Sequence, residues 1–493
     1  MPLMVCPDIV APVHTGPGLP AGRAVVWDDR VRLSGDAAVA LGGAPWRVLK
    51  IAPAGRPFVR RLAATGPRGL VPSPGLELAM ADLLVTRGIV HPLATTGEAH
   101  VTVDIVVPAY ERPEMLDACL ASLRRTVPGC RIIVVDDASA SPGVAEVGRA
   151  HGATVLRHDS NRGPAAARNT GLRQADSAIV VFVDADCVVT DGWLEVLLPH
   201  FDDPRVAAVA PRIAARTGRP TVLARYEVAR SALDMGPRPE LVADGAPLGY
   251  LPSAAVAMRR SALTNLMPAA FDEELRVGED VDLVWRLIES GAMVRYEPAA
   301  VVTHEMRPTP LSWAGRIFDY GTSAADLDRR HPGRLAPARL SLWNAAAAAL
   351  MFLRWRTVGR LAAAGFVAAG ALRLARTLRS RSVDPRVAVV ITGKRLASDA
   401  EATGHLLRRE WWPIGWLALA SVRRSRVARA AAAAMLVPAV QDWRTEQPDV
   451  DLPRYLALRL AEDAAYGAGV IAGAVRSRRP DVLLPRLQRP RDG

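Results

Sequence analysis

The hydrophobic pattern along the chain changes character twice, and each change marks a different kind of structure. Residues 1–22 are rich in proline and glycine and show no period, so they are expected to form a loose tail. Ala24–Leu33 reads as β-structure, with a hairpin expected around Asp28-Asp29, and Trp46–Ile51 reads as a second strand. After the turn at Pro53-Ala54-Gly55, Phe58, Val59 and Leu62 fall on one helical face. Leu76, Met80, Leu83 and Leu84 repeat that spacing before Arg87-Gly88 stops the helix and Ile89-Val90 starts a strand. Residues 23–98 therefore read as a small winged-helix-like module.

From Val101 the runs become continuous. Val103–Pro108, Arg131–Asp136 and Ile179–Val183 are apolar enough to be buried on both faces, and Leu116, Cys119, Leu120 and Leu123 mark a helix between the first two. Strands alternating with helices predict an α/β domain over residues 100–310, Rossmann-like, built from parallel βαβ units. Its ligand groups belong at the carboxyl ends of the strands. The residues there are Tyr110-Glu111, Asp136-Asp137 and Asp184-Ala185-Asp186. Residues 311–493 turn helical, with alanine and arginine dominant. The apolar runs Leu340–Leu353, Leu361–Leu372, Trp411–Val422 and Ala428–Val440 are each broken by arginine or proline before the roughly 18 residues of a simple membrane span. Helices lying in the interface at the cytoplasmic face of a membrane, with a single inserted helix as the variant, are the expectation for this region.

Charge sharpens that picture. Lysine and arginine total 62 against 50 aspartates and glutamates, a formal net charge of +12. All but Lys50 and Lys394 are arginine. No helix-turn-helix, zinc finger or RNA-binding signature accompanies the charge, which excludes nucleic acid as the expected partner. Arginines flanking apolar helices suit anionic lipid headgroups and a negatively charged diphosphate. The four cysteines, Cys6, Cys119, Cys130 and Cys187, have no metal spacing, and the N-terminus has no basic-then-apolar leader, so a reducing cytoplasm is expected.

The chemistry concentrates in four segments. Asp184-Ala185-Asp186 presents two carboxylates at a strand end, a donor set suited to Mg²⁺ or Mn²⁺ bridging to a diphosphate. Val107-Pro108-Ala109-Tyr110-Glu111, Val135-Asp136-Asp137-Ala138-Ser139 and Asn161-Arg162-Gly163-Pro164-Ala165-Ala166-Ala167-Arg168-Asn169 precede it, and Gly278-Glu279-Asp280 follows. In this order the segments resemble family 2 glycosyltransferases with the GT-A fold. The resemblance implies an inverting, metal-dependent transferase using a nucleotide-sugar donor. Pro108, Tyr110, Glu111 and Asp137 would lie at the nucleoside, with uridine favoured, and Arg168 and Asp184 at the phosphates. Asp186 and Asp184 would hold the metal, with His304, at the end of Val301–His304, as a further ligand. Asp280 would be the catalytic base and Glu279 its alternative; first-turn acidic residues also suit the helix dipole. Asp282 and Arg286, four apart, read as a helix-surface pair.

The N-terminal module resembles the peptide-recognition domain of ribosomal-peptide maturation systems, similar to the pyrroloquinoline quinone chaperone. Arg408-Arg409-Glu410-Trp411-Trp412 resembles, without its glutamine, the Gln-x-x-Arg-Trp motif of processive β-glycan synthases. Its tryptophans would stack on sugar or anchor at an interface. The whole order of parts resembles the glycosyltransferases of the mycofactocin system of actinobacteria. That resemblance implies UDP-glucose as donor, a small peptide-derived redox cofactor precursor as acceptor, a β-1,4-glucan as product, and other maturation proteins of that system as partners. An envelope polysaccharide or glycolipid transferase, and a non-enzymatic peptide-binding protein, are the competing readings.

Overall fold

The computed structural model describes residues 18–93, 101–216, 221–266, 269–305, 309–351, 356–380 and 384–488. The chain divides into two compact units, residues 3–220 with 230–306 and residues 221–229 with 307–493.

In the first unit, Arg32–Leu33, Val39–Gly42 and Arg47–Lys50 form a three-stranded antiparallel sheet. The helices Arg56–Ala64 and Leu76–Thr86 add Phe58, Val59, Leu62, Leu84 and Val85 to its core. The hairpin expected at Asp28-Asp29 does not form. Val25–Trp27 pairs instead with Val90–Pro92, Trp27 opposite Val90. The Asp28 carboxylate accepts from the Arg30 backbone N–H at 2.8 Å and from its Nε at 3.0 Å, closing a turn that sends the next strand elsewhere. Residues 1–17 of the expected tail lie outside the described residues. Leu19 is buried, and its N–H donates to Asp82 Oδ1 at 2.8 Å.

Among the described residues the main sheet has nine strands. Val103–Ala109 lies third from one edge, parallel to Arg131–Asp136 on one side and Ile179–Val183 on the other, with Thr154–Arg157 continuing parallel beyond Arg131–Asp136. Ile105, Val107, Ile132 and Val134 face one core while Val106, Ile133, Val135 and Phe182 face another. Burial of both faces is why these strands read as unbroken apolar runs. Beyond Ile179–Val183 the sheet is mixed, a departure from the expected parallel units. Ala255–Arg259 is antiparallel to it, followed by Val206–Arg216 and the long strand Met293–Glu305. Cys187–Val189 and Glu240–Val242 pair antiparallel with opposite ends of that long strand. The module is docked on this sheet by ion pairs: Arg205 bonds Asp82 at 2.5 Å and Asp203 at 2.7 Å, and Arg30 pairs with Glu240.

The second unit is helical: Val222–Arg230, Pro310–Thr322, Ala324–Arg330, Leu342–Met351, Arg356–Ser380, Val387–Arg408, Trp412–Ala420, Arg426–Glu446 and Leu452–Ser477. The expected break of its apolar runs at arginine is corrected in one place. Arg356–Ser380 is a single helix that carries Arg360, Arg373 and Arg376 within it, and its Thr357–Arg379 stretch is long and apolar enough to cross a membrane. Arginine is a good helix former, so it interrupts the hydrophobic run without interrupting the helix. The Arg408–Trp412 segment turns inward: Arg408 Nε donates to buried Asp463 at 2.9 Å, and Trp411 Nε1 donates to the Leu483 carbonyl at 2.8 Å.

Candidate active site

The strand Ile179–Val183 delivers Asp184 to the edge of its sheet, where the Asp184 N–H donates to the Ala254 carbonyl at 2.8 Å. Beside it stands Arg168, on the helix Pro164–Gln174 and 3% exposed. Its Nη2 donates to Asp184 Oδ1 at 2.6 Å and its Nη1 to Glu279 Oε1 at 2.8 Å. The guanidinium also lies 5.5 Å over the Phe271 ring. One buried cation thus joins the Asp-x-Asp strand end to the first turn of the helix Glu279–Glu289. Its two carboxylate partners hold it charged despite burial.

Glu279 and Asp280 open that helix after Gly278, whose φ of +89° a glycine adopts without strain. Glu279 is buried, and burial followed by the charge of Asp280 pushes its carboxyl up to about 7 against the pull of Arg168. Burial also pushes Asp280 above the ordinary carboxylate range, again opposed by Arg168. Asp280 is half-buried and accepts from the Ser253 N–H at 3.2 Å and the Val281 N–H at 2.8 Å. Asp282 and Arg286 do pair, at 2.8 Å, but not on the surface: Asp282 is buried and Arg286 clamps the carbonyls of Ala269 and Ala270.

His304 lies opposite Cys187 in the antiparallel ladder, which brings its Nε2 within 3.3 Å of Asp186 Oδ2. Both side chains are partly exposed. Among the described residues, no three histidine, cysteine, aspartate or glutamate side chains converge to hold a metal by themselves. The Asp186–His304 pair still fits a divalent ion of the kind bound by one or two protein groups, with phosphates and water completing the shell.

Asp137 is buried and accepts from His158 Nδ1 at 2.7 Å, the Arg162 N–H at 2.9 Å and the Gly163 N–H at 2.7 Å. It shapes the loop that starts the Arg168 helix. Tyr110 is 54% exposed at the end of the strand Val103–Ala109, whereas Pro108 is buried within it. Glu111 braces the neighbouring loop: its N–H donates to Ser139 Oγ at 2.9 Å and its Oε1 accepts from the Ala140 N–H at 2.8 Å. Glu111, Arg112 and Ala138 all have positive φ, costly for non-glycine residues and persisting only where surroundings enforce them. The sequence did not point to His158, and it held Ser139 and Asn169 only as members of motifs, without the contacts they make. Asn169 pins Phe271 through paired backbone bonds of 2.8 and 3.0 Å. A histidine after a short strand and an asparagine within a helix have no local signature; only the fold brings them to their partners.

The family model for glycosyl transferase family 2 matches residues 104–266. A pre-mycofactocin glycosyltransferase of Mycobacterium tuberculosis is 38% identical over 483 residues, covering 96% of this chain and all of that protein. The chain belongs to the pre-mycofactocin glycosyltransferase family. Pre-mycofactocin glycosyltransferases thus provide the frame for the geometry above, and the central sheet is a GT-A domain. The succinoglycan biosynthesis protein ExoU of Rhizobium meliloti is 27% identical over 235 residues, 45% of this chain and 68% of that protein. Among solved structures, a Pyrobaculum calidifontis mannosyltransferase in complex with GDP-Man and Mn²⁺ is similar over 77% of this chain and 88% of its own, at 18% identity and a TM-score of 0.41. The family-model match ends before Glu279, Asp280 and His304, so those three rest on the geometry of this chain.

Proposed function

We propose that this family member is an inverting transferase that moves glucose from UDP-glucose to the peptide-derived mycofactocin precursor and extends a β-1,4-glucan, at the cytoplasmic face of the membrane. The observation that carries the mechanism is the Arg168 bridge. It joins the donor-side carboxylate Asp184 to Glu279, next to Asp280, so that donor and base groups share one patch.

In this reading Tyr110 offers an exposed ring to the nucleoside base, and Asp137 accepts a ring N–H, as uracil would provide. Pro108 acts through its backbone, since its side chain is buried. Asp184, Asp186 and His304 face the diphosphate and are the groups that would hold Mg²⁺ or Mn²⁺. A divalent ion bound there would neutralise the charge gathering on departing UDP. An acceptor hydroxyl oxygen attacks the anomeric carbon from the face opposite the phosphate. The anomeric C–O bond breaks with its electron pair leaving on UDP, and the hydroxyl proton passes to Asp280. Asp280 suits the base role because, unlike Glu279, it is only half-buried. Glu279 is tied to Arg168 and holds the helix start in place.

Two substitutions test the division of labour. Asp280→Asn should lower kcat by at least about a hundredfold, the scale of general base catalysis, and leave UDP affinity near wild type. Asp137→Ala should weaken UDP binding instead. Normal turnover of Asp280→Asn would reassign the base. The acceptor is tested by incubating the protein with labelled UDP-glucose and a cell extract. Label in the water-soluble small-molecule fraction supports the proposed acceptor. Label confined to lipid would assign a glycolipid acceptor instead.

A further inference from the structure

Consecutive residues at the end of the edge strand hold consecutive carboxylates at the donor site. Arg157 pairs with Asp136 and donates to the Ser139 carbonyl at 2.6 Å, while His158 donates its own N–H to the Asp136 carbonyl at 2.9 Å and meets Asp137 with its ring. We propose that His158 is a positioning residue for donor binding, orienting the Asp137 carboxylate so that one lone pair of Oδ2 is kept for a single N–H of the uridine base.

The direction of each hydrogen bond follows from chemistry. Arg173 Nη2 lies 2.7 Å from Thr170 Oγ1, and arginine can only donate. The Thr170 hydroxyl proton is therefore available to His158 Nε2, 2.9 Å away. An imidazole accepting at Nε2 carries its proton on Nδ1, which faces Asp137 Oδ1 at 2.7 Å. The string runs one way, from Arg173 through Thr170 and His158 to Asp137, and such strings polarise each member toward the acceptor. A carboxylate offers about four lone-pair sites. On Asp137, His158 and the Arg162 N–H take those of Oδ1, and the Gly163 N–H takes one of Oδ2. What remains is one acceptor site on a carboxylate that cannot rotate. Uracil has a ring N–H to fill it, as does guanine, whereas the corresponding ring nitrogens of cytosine and adenine carry no proton.

The inference rests on the proposed contact between Asp137 and the base, and the test separates the two. UDP affinity of the full chain is measured by calorimetry, and kcat and KM for UDP-glucose are measured alongside. Asp137→Asn comes first: unchanged UDP affinity in that variant overturns the underlying contact. With that contact standing, His158→Asn retains an N–H where Nδ1 lies, whereas His158→Gln places one where Nε2 lies. His158→Ala and His158→Gln should weaken UDP binding and raise KM by about tenfold or more, the scale of a hydrogen bond to a charged group, with kcat at saturation nearly unchanged. His158→Asn should bind UDP within a few-fold of wild type. Equal losses in His158→Asn and His158→Ala, or unchanged affinity in His158→Ala, would overturn the positioning role. Thermal unfolding of all three identifies any loss that comes from unfolding, and the Asn-against-Gln comparison still decides if the alanine variant does not fold.

Discussion

Glu279 and Asp280 are adjacent acids sharing one buried cation, and their titration distinguishes their roles. Glu279 is raised to about 7 by burial and by Asp280, and Asp280 is raised by burial. A carboxylate whose folded-state pKa is raised takes up its proton earlier as pH falls, so the base form of Asp280 is lost at a higher pH than that of an ordinary aspartate. The expected kcat profile declines on its acid side from above the range of an ordinary aspartate. In Glu279→Gln a negative neighbour is removed, Asp280 becomes a stronger acid, and the acid limb moves to lower pH with turnover retained. A Glu279→Gln variant dead at every pH would make Glu279 the base. At this scale the sequence was legible wherever chemistry is local. Asp184-Ala185-Asp186, Asp136-Asp137 and Glu279-Asp280 are neighbours in the chain, so each motif brings its carboxylates together whatever the fold around it. Arg168 was expected near the phosphates; its bridge was not legible, because its partners Asp184 and Glu279 lie 16 and 111 positions away. Likewise, the i,i+4 spacing of Asp282 and Arg286 indicates that they meet, and says nothing about whether water reaches them.

Elements are specified partly by their own residues and partly by what they pack against, and only the first part can be read in advance. Val103–Ala109, Arg131–Asp136 and Ile179–Val183 were evident because burial on both faces demands an unbroken apolar run. The same apolarity carries no strand direction, so the antiparallel turn of Ala255–Arg259 and the edge pairings of Met293–Glu305 were hidden. The strand Val39–Gly42 was missed because Val-Ala-Leu-Gly has no alternation to betray it. Between helices, Pro310–Thr322 and Leu452–Ser477 pack with their backbones nearly touching, and glycine makes this feasible. A Cβ on Gly469 would land on the Phe318 carbonyl oxygen, and one on Gly321 would land on that of Tyr466. Gly469→Ala gains up to about 1 kcal/mol of intrinsic helix propensity and incurs about 1–3 kcal/mol from overpacking. The net expectation is a lower Tm for the helical unit, read by circular dichroism. Alanine at Gly365 or Gly370, where a Cβ meets nothing within 4 Å, should leave Tm unchanged or raise it. Equal behaviour at all three positions would remove the close-packing account.

At the scale of the whole molecule, the helix Arg356–Ser380 is the feature that bears most on where the protein resides. Its Thr357–Arg379 stretch has 23 residues and contains an 18-residue window of mean hydropathy 1.4, little of which is covered by the rest of the protein. At 1.5 Å per residue a helix of that length reaches about 34 Å, against a bilayer core of about 30 Å. Length alone therefore permits a span. Arg373 and Arg376 sit toward one end, where long side chains can bend back to anionic headgroups. The shorter apolar helix Trp412–Ala420 exposes Ile414, Trp416 and Leu417 and is followed by Arg423 and Arg424. At nine residues it is too short to cross and is suited to lying in the interface. We predict that the protein fractionates with membranes, held by both features on the side where nucleotide sugars are made. High salt screens the arginines, and carbonate strips interfacial helices while leaving spanning ones. Retention through both washes assigns Arg356–Ser380 as an inserted anchor, and release assigns an interfacial one. Substituting Leu361 and Leu372, which are 69% and 60% exposed, with aspartate separates the contributions of the two helices. Each aspartate in a bilayer core costs about 2.5–3.5 kcal/mol on insertion scales, enough to release a single-helix anchor. Full recovery of the unaltered protein in the soluble fraction before any wash would overturn membrane association altogether.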